Sequence, residues 1–101
     1  MKQKGKFIGY VGNPEIHDGT IETLEQKSHE VTVKIKTQSG KTLFVKFSGV
    51  KSVTSNKPEK MLLYSLTELA YDFPYRCFVF VNSEEQDPSF LEIIAQDFQC
   101  Y

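Results

Sequence analysis

The residues of this chain that could do chemistry are few, and the pair His17-Asp18 is the most suggestive of them. A histidine followed by an aspartate is typical of metal-dependent phosphohydrolases, which need several further His and Asp ligands around the metal. His29 is the only other histidine in the sequence. Because Gly19 follows directly, the pattern favours a turn in which the Asp18 side chain bonds to nearby backbone. The sequence therefore predicts a turn at this point rather than a metal site.

The two cysteines, Cys77 and Cys100, are the candidate nucleophiles. A catalytic thiol needs a base and an orienting third residue, and the sequence places neither beside them. Cys77 lies in an apolar run, where a thiol is normally an inert hydrophobe, whereas Cys100 is penultimate and is expected to react readily. Their number and spacing match neither a disulfide scaffold nor a metal motif. A Cys77–Cys100 disulfide is the less favoured alternative to two reduced thiols.

The N-terminal residues 1–6 are rich in lysine, like the start of a signal peptide. The apolar stretch behind them, Phe7 to Val11, is interrupted by Gly9 and is too short for a signal sequence. No apolar run is long enough to cross a membrane. We therefore expect a cytoplasmic protein, where thiols stay reduced.

The acidic run Glu84-Glu85-Gln86-Asp87 is a candidate cation site. Calcium loops need more ligands and a glycine at a fixed offset. No glycine follows Gly49 in this chain, so the run is predicted to be a solvated loop. No cofactor is expected.

Lysines and an aromatic residue alternate along a predicted hairpin and form the candidate binding face. Its residues are Lys34, Lys36, Phe44, Lys46 and Lys51. Such a face can bind single-stranded nucleic acid, because bases stack on the ring and lysines attract the phosphate backbone. The alternative is a solvated polar sheet face, which is favoured because no ribonucleoprotein-type aromatic motif is present.

Charge is divided unevenly along the chain. Residues 1–60 hold eleven lysines against six acidic residues, a net charge of +5, whereas residues 61–101 hold one arginine against seven acidic residues, a net charge of −6. This asymmetry suits a basic face for an anionic partner. It also suits strands that neutralise one another within the sheet, for instance through lysines beside Glu22 or Glu92. We favour the second interpretation and, with it, a monomer.

The elements that position these residues are predicted to be strands. Val, Ile, Thr, Phe and Tyr together number 34, against 11 for Ala, Leu and Met, and the first group fits a pleated surface better. With 40% hydrophobic and 25% charged residues the chain is expected to be globular rather than disordered. Its 101 residues predict a single domain, 1–101. We expect a mainly β fold, an antiparallel curled or barrel-like sheet of six or seven strands with at most one short helix, and α+β as the alternative.

A hairpin is the clearest element. Apolar residues alternate with polar ones through two neighbouring runs. Two residues that pair across the strands share a face, so for these runs the two residue numbers of each pair must add up to an even number. The pairs predicted on this basis are Ile35 with Leu43, Val33 with Val45 and Val31 with Phe47. This register places Lys34 opposite Phe44 and leaves Gln38-Ser39-Gly40 as a three-residue loop, in which Gly40 takes the left-handed conformation.

Other segments give weaker signals. Residues 5–11 are expected to form a short strand, and 20–26 a strand in which Ile21 and Leu24 are out of period, as at a bulge or an edge. Arg76 to Val81 is predicted to be a buried central strand, because it is apolar on both faces.

Two segments stay ambiguous between helix and strand. In 61–73, Leu62, Leu66, Leu69 and Phe73 match a helical stripe, so a short helix is allowed between about 62 and 71, while strand alternation also fits. In 88–98 an Asp-Pro pair would start a helix well, but the apolar core of the segment favours a strand.

Several of these runs together carry a resemblance. They are His17-Asp18-Gly19-Thr20-Ile21, Val45-Lys46-Phe47-Ser48-Gly49-Val50, Phe78-Val79-Phe80-Val81-Asn82 and Leu91-Glu92-Ile93-Ile94-Ala95. In this order they resemble small, mostly uncharacterised bacterial all-β proteins, some of which are similar to immunity proteins that neutralise a toxin by binding it. The runs are core and turn patterns, so the resemblance implies no site residues. It implies a non-enzymatic module that binds a protein partner. Single-stranded nucleic-acid binding through the basic hairpin face is the alternative, and a small enzyme without a recognisable motif is the third.

Overall fold

Antiparallel strands in two sheets enclose the apolar core of the computed structural model, which describes residues 5–101. The first four residues of the lysine-rich N-terminal stretch lie outside the described part. The five-stranded sheet contains, in spatial order, β1 (Phe7–Tyr10), β6 (Leu63–Leu69), β7 (Arg76–Asn82), β8 (Phe90–Ala95) and β5 (Ser52–Asn56). The four-stranded sheet contains, in spatial order, β2 (Thr20–Lys27), β3 (Glu30–Lys36), β4 (Thr42–Ser48) and β9 (Asp97–Cys100). The mainly β prediction is confirmed, although the sheets do not close into a barrel and the described residues form nine strands rather than six or seven.

The β3–β4 hairpin has the predicted register. Val31 pairs with Phe47, Val33 with Val45 and Ile35 with Leu43. Gly40 ends the loop with a φ of 93°, a conformation that favours glycine. The prediction is confirmed because burial of one face of the hairpin determines which residues of the two strands can stand opposite each other.

Aromatic rings from both sheets meet at the centre of the core. The Phe47 ring lies 5.1 Å from Phe78 and 5.9 Å from Phe80, centroid to centroid. All three side chains are fully buried. Burial of each contributes about 1.5–3 kcal/mol, so these contacts hold the two sheets together.

The predicted irregularity of the second strand is a bulge. The β2–β3 register shifts between Ile21 and Thr23, which leaves Glu22 at the bulge. The shift lets Ile21 and Leu24 both pack against the core despite their odd spacing.

The helix allowed between about 62 and 71 does not form. This segment carries β6, which pairs with β1 on one side and β7 on the other. The supposed helical stripe is not one buried face, since Leu66 is buried whereas Phe73 is 96% exposed. Pairing on both sides satisfies the backbone and overrides the local helical period.

The expected strand character of 90–98 is confirmed, but the segment forms two strands in different sheets. It breaks at Gln96, whose amide donates to the carbonyl of Ser48. The chain also changes sheets after Gly49, where β4 ends and the path towards β5 begins. The β7 strand is central in its sheet, between β6 and β8, as predicted.

A short connection closes one end of the sandwich. A 3-10 turn, Pro14–Ile16, begins at Asn13, whose side chain accepts from the Glu15 amide, and it buries Ile16. The predicted turn at His17-Asp18 follows, with Asp18 at a φ of 66°. The structure finds the side-chain-to-backbone turn bond at Asn13 instead of Asp18.

The part of the chain that the structure describes, residues 5–101, contains no helix with the length and apolar character of a membrane span.

Candidate functional site

The outer face of the four-stranded sheet brings together four of the five predicted binding residues. Lys34 and Lys36 point outward from β3, opposite the buried alternation, and Phe44 and Lys46 do so from β4. Lys34 stands directly opposite Phe44, as predicted.

The fifth predicted residue, Lys51, does not belong to this face. Its ammonium lies 5.5 Å from the ring centroid of Tyr71 and 5.2 Å from that of Tyr75. The sequence assignment was wrong because strand alternation does not continue past Gly49, where the chain leaves the sheet.

A second ring, missed in the sequence, joins the hairpin face. Tyr101 stacks on Phe44 with centroids 5.9 Å apart and planes inclined by 26°. The backbones of the two residues also exchange hydrogen bonds of 2.6 and 2.9 Å. No local pattern signals this contact, because it depends on the pairing of β9 with β4 across about half the chain.

The lysines of the hairpin face are partly neutralised by acidic neighbours. Lys34 lies 3.7 Å from Glu22, and Lys46 lies 3.4 Å from Glu30. The predicted neutralisation within the molecule is therefore present at Glu22. These pairs are exposed and each contributes little to stability, but they lower the positive potential that a nucleic acid would encounter.

The single arginine has a structural role. Arg76 donates to both carboxylate oxygens of Glu68 at 2.9 Å, and it lies 3.3 Å from Asp97. Its guanidinium also packs over the rings of Phe78 and Phe98, 5.1 and 5.4 Å from the centroids. The hydrogen bonds to Glu68 raise the pKa of Arg76. Arginine is the side chain best suited to bidentate phosphate contacts. The single arginine of this chain is already bonded to neighbouring side chains.

A second candidate surface lies at the edge of the five-stranded sheet. We call it the aromatic surface and define it by Phe7, Tyr10, His17 and Tyr64. Its rings form a continuous chain of near-perpendicular contacts. The centroid distances are 5.3 Å for Phe7–Tyr10, 6.3 Å for Tyr10–Tyr64 and 5.3 Å for His17–Tyr64. Phe7, Tyr10 and Tyr64 are 58%, 65% and 46% exposed, so large apolar area faces water here.

Two bulges assemble this surface. Phe7 and Tyr10 are three residues apart and would point to opposite faces of a regular strand, but the β1–β6 register shifts between Phe7 and Gly9. A second shift, between Leu63 and Ser65, falls at Tyr64 on the neighbouring strand. The sequence shows the rings, but period-2 alternation gives no signal that they share one surface.

The aromatic surface borders a cavity of about 270 Å³. The lining residues are Tyr10, Val11, Gly12, Asn13, Pro14, Ile16, His17, Tyr64, Ser65 and Leu66. The His17 ring is held in place by its Nδ1, which lies 2.7 Å from the carbonyl oxygen of Tyr64. A carbonyl only accepts, so Nδ1 carries a hydrogen and donates it. The Nε2 atom lies 3.6 Å from the Asp18 carboxylate.

The side chains of the two tyrosines of the cavity interact with each other. The pKa of Tyr10 is raised, mainly by a hydrogen bond with the Tyr64 side chain and to a smaller extent by the charge that Tyr64 carries when it ionises. Both effects favour the neutral phenol, so Tyr10 presents an uncharged hydroxyl and an electron-rich ring.

The two thiols differ less than the sequence predicts. Cys77 is buried, as expected, while Cys100 is half-buried on β9 rather than free at the chain end. Burial raises the pKa of the Cys100 thiol, against a smaller opposing effect of the Asn13 backbone N–H. The two do not form a disulfide with each other, and they lie in different sheets.

The acidic run is a loop whose polar groups bond locally. Asp87 accepts from the backbone amide of Ser89, and this bond lowers the pKa of Asp87. Asn82 likewise accepts from the amide of Glu84 at 2.8 Å. In the part of the chain from residue 5 onward, no three His, Cys, Asp or Glu side chains are placed to hold a metal ion.

Comparison with protein-family models, with curated proteins and with solved structures finds no match to this chain.

Proposed function

We propose that this chain is a non-enzymatic binding module that contacts a protein partner through the aromatic surface. The observation that carries the proposal is the contact chain of exposed rings at Phe7, Tyr10 and Tyr64. Tyrosine and phenylalanine are enriched in protein interfaces, and a few such anchors supply most of the binding free energy.

The chemistry of the sheet edges supports the same surface. Edge strands invite pairing and are usually blunted with charged or polar residues. The edge strand β2 carries Glu22, Glu25 and Lys27, whereas β1 has the sequence Phe-Ile-Gly-Tyr, without a charged side chain. Ile8, beside the rings, is 57% exposed. A partner that covers β1 would remove this apolar area from water.

The proposed partner class agrees with the resemblance to immunity-protein-like chains, for which the partner would be a toxin. Location in the cytoplasm is part of the proposal, and it is compatible with two cysteines that form no disulfide. No catalytic role is assigned to His17, Cys77, Cys100 or the acidic loop.

A matched pair of variants tests the proposal. Tyr10→Ser removes a ring from the aromatic surface, while Tyr101→Ser removes a ring of similar exposure, 62% against 65%, from the opposite sheet. Immobilised wild-type protein and both variants are compared by quantitative mass spectrometry of proteins retained from the source cells. A specific partner should be retained by wild type and Tyr101→Ser and lost, by tenfold or more, with Tyr10→Ser. Equal retention by all three would contradict the proposal.

Single-stranded nucleic-acid binding is the second candidate, and the stacked pair Phe44–Tyr101 is the observation that favours it. Two adjacent rings beside lysines can stack successive bases. The ion pairs of Lys34 and Lys46 weigh against it. Titration with a single-stranded oligonucleotide across a salt series is the test: this candidate requires a steep salt dependence and loss of binding with Tyr101→Ser but not with Tyr10→Ser.

A further inference from the structure

The cavity beside the aromatic surface has the walls of a cation site. Tyr10, Tyr64 and His17 all line it. The Tyr10 and Tyr64 rings are inclined by 76°, and the His17 and Tyr64 rings by 79°. Several aromatic side chains that line one cavity can hold an ammonium group as an aromatic cage does, because ring faces carry negative charge density.

The charges around the cavity have the matching sign. Among residues 5–101, no lysine or arginine lines it. The Asp18 carboxylate lies 3.6 Å from His17 Nε2, and its side chain is about 42% exposed. Glu15 stands on the adjacent turn, partly offset by Lys41 at 4.0 Å. The Asp18 carboxylate, beside the His17 ring that lines the cavity, would attract a cation to the entrance.

The donor and acceptor pattern also suits a cation. His17 Nδ1 donates to the Tyr64 carbonyl, and a carboxylate oxygen of Asp18, which only accepts, lies 3.6 Å from His17 Nε2. An ammonium or guanidinium group carries only donors.

From this arrangement we infer that the cavity receives one lysine or arginine side chain of the protein partner. The inference rests on the proposed function and adds the chemical class of the group that is recognised. The apolar stem of the cation would lie against Leu66 and Ile16, and its charged end would lie among the rings, near Asp18.

The test uses small probes with the whole chain. Nα-acetyl-lysine methylamide and Nα-acetyl-arginine methylamide are titrated by NMR, with Nα-acetyl-norleucine methylamide as a neutral control of nearly the same shape as lysine. Ring signals of Tyr10, Tyr64 and His17 are followed. We expect at least one cationic probe to shift these signals and to bind about tenfold more tightly than the norleucine probe.

Variants distinguish the contribution of the Tyr10 ring to probe binding from that of the Asp18 charge. Tyr10→Phe keeps the ring and should bind the probe within about twofold of wild type, whereas Tyr10→Leu should bind about tenfold more weakly. Asp18→Asn should weaken binding about threefold, and Tyr101→Ser should leave it unchanged. Because Tyr10 is exposed and Asp18 is partly exposed, these variants are expected to fold, and a wild-type melting curve verifies it.

The outcomes of these experiments distinguish failure of the cation site from failure of the proposed function. Equal binding of the cationic and norleucine probes, or no shift of the ring signals with any probe, would overturn the inference even if Tyr10→Ser still loses the protein partner. Selective cation binding together with retention of the partner by Tyr10→Ser would overturn the proposed function instead, and with it the assignment of the cation to that partner.

Discussion

The ion pair between Arg76 and Glu68 makes a sharp prediction about stability. Glu68 is only 7% exposed, and its carboxylate accepts two hydrogen bonds of 2.9 Å from Arg76. Replacing Arg76 with methionine keeps an apolar stem of similar length but leaves this carboxylate without its cation. A buried charge without a partner is costly, because the protein interior solvates it poorly.

The size of the effect follows from the contacts. Each hydrogen bond to a charged group contributes about 1.5–3 kcal/mol, and removing one partner of a buried pair costs about 3–5 kcal/mol. The Arg76 side chain is itself 35% exposed, so water can reach the freed carboxylate in part. We therefore expect Arg76→Met to lower the free energy of unfolding by about 3 kcal/mol, which corresponds to a fall in Tm of roughly 12–24 °C for a domain of this size.

Urea denaturation of three variants checks this reasoning. The double variant Glu68→Leu/Arg76→Met removes both charges and should recover to within about 1 kcal/mol of wild type. Lys34→Met breaks an exposed ion pair and should cost less than about 1 kcal/mol. A loss below 1 kcal/mol for Arg76→Met alone, equal to that of Lys34→Met, would refute the account of Glu68 as a buried charge that depends on Arg76.

Three further predictions concern the hairpin, the thiols and the oligomeric state. Gly40→Val should lower the free energy of unfolding by about 1–2 kcal/mol because of the left-handed backbone alone, since open space surrounds the position. Gly9→Val, also in open space but without a left-handed φ, is its control, and equal melting curves would contradict the turn. Cys77 and Cys100 should both react slowly with a thiol reagent in the native state. Because only the thiolate attacks, the reaction of Cys100 should become slower still as the pH is lowered below its raised pKa. Rapid labelling of Cys100 at neutral pH would contradict its burial. Light scattering should give a mass near 11.6 kDa at all ionic strengths, and oligomers that form at low salt would contradict neutralisation of charge within the molecule.

The hairpin could be predicted in full because its information is local. Alternation fixes which residues share a face, and Gly40 fixes the loop. The bulge at Glu22 was predictable for the same reason, since two core residues stood out of period.

The aromatic surface could not be predicted, because it depends on irregularities that alternation does not encode. Phe7 and Tyr10 share a surface only through a register shift, and Tyr64 joins them through another on the adjacent strand. The contact of Tyr101 with Phe44 likewise requires a pairing between distant parts of the chain. The Lys51 assignment failed where the chain changes sheets, an event set by tertiary packing rather than by local sequence.

The dissociation constant of the retained partner tests the central claim most directly. It is measured with wild-type protein, Tyr10→Ser and Tyr101→Ser at one salt concentration. The account predicts a loss of affinity of about 30-fold for Tyr10→Ser, the size expected of a central aromatic anchor, and a change of less than about twofold for Tyr101→Ser. An unchanged affinity for Tyr10→Ser, or a larger loss for Tyr101→Ser, would contradict the assignment of the aromatic surface as the protein-binding site.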